Sequence, residues 1–62
     1  MTEELKQQIE LLRGDVSKSS CIALNEIRRG LDGTFLDTCF CSGSERRNFN
    51  NDFFRFYDSI SK

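Results

Sequence analysis

The chain has 62 residues, 31% of them charged, and its nine basic and ten acidic side chains leave a net charge of −1. That length allows one domain, residues 1–62, which buries only about 60% of its unfolded surface, too little for a catalytic cleft with supporting walls. The charge balance excludes the strongly basic class of stand-alone nucleic-acid binders, and the longest apolar run, Cys21 to Leu24, is far too short to span a membrane.

The opening stretch predicts a long helix from Thr2 to Arg29. Thr2 is a suitable N-cap, and Glu3 and Glu4 put acid in the first turn, where the helix dipole favours it. Leu5, Ile9, Leu12, Val16, Ala23 and Ile27 fall on one stripe of a continuous helix turning about 100° per residue. Gly14 and the run Ser17 to Ser20 weaken the middle, so a break between Gly14 and Ser20 is the alternative. Gly30 is placed to end the helix in a left-handed cap.

Asp32-Gly33 then reads as a turn. Phe35, Leu36, Cys39 and Phe40 recur at helical spacing and predict a short middle helix. After a second break at Cys41 to Ser44, Ser44 is expected to cap a third helix, with Glu45 in its first turn. Phe49, Phe53, Phe56, Tyr57 and Ile60 form its apolar face. Asn48, Asn50 and Asn51 are poor helix formers, so packing must hold this helix. The expected fold is all-α, with the aromatic C-terminal helix packed back on the first as a helical hairpin.

Cys39 to Asp58 holds two of the three cysteines and six of the seven aromatics, which raises several chemistries in turn. Structural zinc needs four ligands, usually Cys or His. Three cysteines and no histidine would require Cys21, Cys39, Cys41 and a carboxylate such as Asp37, so no metal or other cofactor is expected. The C-x-C spacing lacks the C-x-x-C geometry of a redox motif at a helix start. Without histidine, a Ser or Cys nucleophile has no usual base, and an enzyme is not expected.

Packing accounts for most of the aromatics, but Phe54 lies about 60–160° around the axis from the other apolar members. It shares a strip with Arg47, Asn51 and Asp58, which reads as a docking surface for a protein partner. Leu11 and Ile22 point away from the main stripe of a continuous first helix and suggest a second contact surface. The leading expectation is therefore a non-enzymatic helical interaction module. It would form a homodimer or dock on a larger protein, as an assembly component or an inhibitor. The alternative is a small nucleic-acid-associated regulator using Arg28, Arg29, Arg46, Arg47 and Arg55.

The polar, acidic start is unlike a signal peptide, so the three cysteines are expected as reduced thiols in the cytoplasm. Small size and the absence of proline are compatible with a phage-encoded product acting in its host's cytoplasm.

Overall fold

Glycine in a left-handed conformation marks two of the places where the chain leaves a helix. The computed structural model describes residues 2–61, which form three α-helices and no strand: α1 Glu3–Leu11, α2 Lys18–Asp32 and α3 Gly43–Ile60. Gly14, at φ 79°, lies in the turn that separates α1 from α2. The continuous first helix is thus replaced by its alternative, a break within residues 12–17. Gly33, at φ 81°, caps α2, and its N–H bonds the Arg29 carbonyl at 3.1 Å. Gly30, expected to end the helix, lies inside it.

The serine run that weakened the predicted helix is the start of α2. Ser17 is its N-cap, and the Ser17 hydroxyl accepts from the Ser20 N–H at 3.4 Å. Asp15 closes the turn from the other side, accepting from the Ser17 N–H at 3.0 Å and the Ser20 hydroxyl at 2.8 Å. These hydrogen bonds hold the Asp15 carboxyl below the usual carboxylate range, the Ser17 N–H contributing most. Polar side chains that compete with a helix interior are favoured at its start, because the first N–H groups lack backbone partners.

The short middle helix does not form. Residues 34–42 are irregular, with Phe35 and Leu36 exposed and Phe40 buried at φ 52°. Ser42, not Ser44, is the N-cap of α3, and its side chain accepts from the Glu45 N–H.

α2 and α3 pack as the expected hairpin. The core joins Ile9 of α1, Cys21 and Leu24 of α2, Phe40 of the connector and Phe49, Phe53, Phe54 and Tyr57 of α3. Leu5, Leu12 and Ile27 pack against its edge. The radius of gyration is 10.9 Å, close to the value of about 10.6 Å expected for a folded chain of this length.

The buried face of α3 comprises Phe49, Asn50, Phe53, Phe54 and Tyr57, whereas Phe56 is half-buried and Ile60 exposed. At 100° per residue this face is rotated roughly 50° from the predicted one. The physical reason is the break at Gly14. A severed α1 can cover the flank of α3 that a hairpin with α2 alone would leave open.

Candidate functional site

Two long irregular segments in so small a domain carry backbone polar groups that need partners. Three side chains projecting from the helices supply them. Asn25, buried on α2, donates from Nδ2 to the Leu36 carbonyl at 2.9 Å and accepts at Oδ1 from the Leu36 N–H at 3.0 Å. Arg46, in the first turn of α3, donates from Nε to the Val16 carbonyl at 2.9 Å and from Nη1 to the Phe40 carbonyl at 2.8 Å. Asn50, also buried, reaches the Leu12 and Asp15 carbonyls at 3.4 and 3.3 Å. Among the described residues no buried side-chain nitrogen or oxygen lacks a partner.

This clamping shapes the surface. Asn25 grips Leu36 by its backbone, so the Leu36 and Phe35 side chains are presented outward, 44% and 45% exposed. Beside them, α2, α3 and the 34–42 segment enclose a groove of about 530 Å³. Leu36 and Phe49 contribute its apolar surface, and Arg28, Glu45 and Asp52 its charge. Thr38 donates its hydroxyl to Glu45, tying the segment to α3. Arg28 is drawn onto the protein's own surface, 4.3 Å above the Phe56 ring and 3.4 Å from Asp32. The carboxylates therefore dominate the groove's charge.

The strip expected around Phe54 is exposed at Arg47, Asn51 and Asp58 but not at Phe54 itself. Phe54 is 5% exposed, packed edge-on against Phe53 and Tyr57 at ring-centroid distances of 5.1 and 6.1 Å. The Arg13 guanidinium covers it at 4.4 Å. Asp58 accepts from Arg13 at 2.8 Å, and Glu10 does so from the other side at 2.8 Å, so Asp58 serves an internal junction of α1 with α3. These partners raise the Arg13 pKa, and Arg13 in turn holds the Glu10 carboxyl below its ordinary value. Arg47 and Asn51 remain exposed without their aromatic centre.

Leu11, 81% exposed, edges a second hollow of about 610 Å³ with Lys6, Glu10 and Tyr57. Ile22 is exposed on α2, and the break in the helix removes the geometric reason for grouping it with Leu11.

The five arginines of the nucleic-acid alternative are not equivalent. Arg46 is spent on two backbone carbonyls, and Arg28 on Asp32 and Phe56. The Arg29 guanidinium lies 5.5 Å from the Phe35 ring. Arg47 and Arg55 are exposed on α3.

The cysteines divide into two kinds. Cys21 is fully buried, its thiol 3.7 Å from the Arg46 carbonyl, and burial pushes its pKa up. Cys39 and Cys41 are exposed and joined as a disulfide, which corrects the expectation of three reduced thiols. Among the described residues no three Cys, Asp or Glu side chains converge on a common point where a metal could sit. No described helix is long and apolar enough to cross a membrane.

The groove residues Leu36 and Asn25 and the adjacent exposed Phe35 carry no sequence motif. The geometry defines a three-helix miniature domain with a clamped, apolar-faced connector. Comparison with models of known protein families, with characterised proteins and with solved structures gives no match.

Proposed function

We propose that the protein is a non-enzymatic interaction module that docks on a protein partner through the connector face formed by Phe35, Leu36 and the adjoining groove. The observation that carries this reading is the pair of hydrogen bonds between buried Asn25 and the Leu36 backbone. They fix the peptide beneath two apolar side chains that the protein's own core does not use. Large apolar groups held in place before binding lose little entropy when a partner covers them.

The partner's chemistry follows from the rim. Glu45 and Asp52 favour a segment that inserts an apolar side chain and carries a basic residue beside it. In the functional context such a module would assemble with, or inhibit, a larger protein. A phage origin and action in a host cytoplasm fit this reading.

The test compares the wild-type chain with a Phe35→Ser/Leu36→Ser variant, both immobilised and exposed to a host lysate. Since both side chains are already nearly half in water, each substitution costs roughly 1 kcal/mol, well below the cost of emptying a core site. The variant should keep its helical circular dichroism and lose the specific partner. Recovery of the same partner by both chains would remove this face from consideration.

The nucleic-acid reading retains Arg47 and Arg55 as exposed cations of α3. It predicts binding that falls steeply between low and physiological salt, whereas the apolar face predicts a weak salt dependence.

A further inference from the structure

We propose that Cys39 and Cys41 form a reversible dithiol–disulfide site that exchanges with small thiols of the glutathione class. The two sulfurs are bonded across a single residue, and both cysteines are exposed. Between them Phe40 is only 1% exposed and packs edge-on against Phe49 at a centroid distance of 5.0 Å. The inward Phe40 anchors the peptide while its neighbours remain at the surface. Arg46 holds the Phe40 carbonyl, and thus the peptide unit that leads into Cys41, from beneath.

Two arguments separate this pair from a structural staple. A disulfide that closes so short a loop removes little entropy from the unfolded chain. The work of fixing the connector is already done by Asn25 and Arg46. Exposed disulfides are also the ones that exchange readily. Cys21, enclosed in the core, has no access to the exchange.

The step begins with the thiolate of the small thiol, which attacks Cys39 Sγ. A new sulfur–sulfur bond forms to Cys39, the Cys39–Cys41 bond breaks, and its electron pair leaves on Cys41 as a thiolate. Cys41 immediately precedes Ser42, the N-cap of α3, so the charge appears beside the positive end of an 18-residue helix. The C-x-C pair thereby has the helix-start placement that its spacing alone did not promise. A second small-thiol thiolate attacks the small-thiol sulfur of the mixed disulfide and releases Cys39. The protein disulfide has gained two electrons and two protons, and two small thiols have become one disulfide. Oxidised small thiol drives the same steps in reverse.

The inference does not rest on the docking reading, and its test needs no partner. The intact chain is equilibrated over a series of reduced-to-oxidised glutathione ratios, quenched with N-ethylmaleimide and peptide-mapped. Cys39 and Cys41 should lose label together as the buffer becomes oxidising, with Cys21 labelled only after unfolding. Persistent labelling of both at every ratio, labelling of neither in fully reduced buffer, or a bond to Cys21 would each overturn the proposal.

Iodoacetamide applied to the reduced wild-type chain supplies a second readout. Cys41 should react several-fold faster than Cys39, and equal or reversed rates would refute its role as the leaving thiolate. The Cys41→Ser chain should form a glutathione adduct at Cys39 in place of the ring; failure to do so while folded would exclude Cys39 as the attacked sulfur.

Discussion

Replacing Phe54 by alanine separates a core aromatic from a docking aromatic. Phe54 is almost fully enclosed by Phe53, Tyr57 and the Arg13 guanidinium. Emptying such a site costs about 3–5 kcal/mol, the transfer of the lost apolar group plus the cavity it leaves. The Arg13 contact adds about 0.5–1 kcal/mol, since the cation remains partly solvated. A domain of this length has roughly 3–9 kcal/mol in total, so Phe54→Ala should remove at least about a third of the stability and, toward the lower end of that range, all of it. Urea denaturation followed by far-ultraviolet circular dichroism reads this directly. Phe54→Leu should fall between wild type and Phe54→Ala, and the exposed neighbour Arg47→Ala should stay within about 0.5 kcal/mol of wild type. A folded Phe54→Ala chain that loses less than about 1 kcal/mol would refute the packing of α1 against α3 and restore Phe54 to the surface.

Gly30 lies inside α2, and a Cβ there meets nothing within 4 Å, so Gly30→Ala should stabilise by about 0.5–1 kcal/mol, raising the thermal midpoint by roughly 2–8 °C. An unchanged or lower midpoint would show that α2 ends before this residue. Glu10, Asp15 and Asp32 are all held below their ordinary pKa, chiefly by Arg13, the Ser17 N–H and the Thr34 N–H respectively. The unfolded chain protonates these groups first, so their stabilisation is complete above about pH 5 and is lost as pH falls through the lower folded values. The thermal midpoint should therefore decline from pH 5 to 3, and Asp15→Asn should flatten the decline; a wild-type midpoint that rises on acidification would contradict these hydrogen bonds. Tyr57 is the single tyrosine in a chain without tryptophan, and burial raises its pKa. Its phenolate absorbance should appear above the ordinary value of about 10 in the folded chain and return to it in denaturant. A native titration at the ordinary value would place the hydroxyl in water.

The all-α class and the hairpin of α2 with α3 were legible because apolar periodicity and Gly33 are local signals. The division of the first helix was half-legible. The run Ser17 to Ser20 read as a weak helix middle when Ser17 is a cap and Ser20 its partner, since one residue type weakens a helix interior and favours its start. The predicted middle helix failed because Phe35, Leu36 and Phe40 obey a spacing that does not require a helix, and Asn25 offers the Leu36 backbone an alternative partner. Phe54 was misplaced because a single helix reports only the angle between its residues. Whether that angle faces solvent depends on α1, whose return path opens at Gly14 and is fixed by Arg13, Asp58 and Asn50. The connector face was invisible because its determinants lie eleven residues apart in sequence, as with Asn25 and Leu36.

Asn25, Arg46 and Asn50 have one further property in common: the hydrogen bonds by which they hold the irregular segments run to main-chain atoms. Part of the instruction for the path of both irregular segments is therefore written in the helices, alongside Gly14, Asp15 and Phe40 in the segments themselves. Sequence drift at Thr34 to Asp37 can change what the connector presents while leaving where it runs untouched. The same scaffold could accept new contact chemistry there without relearning how to fold, whereas a change at any of the three gripping residues would alter shape first and surface second.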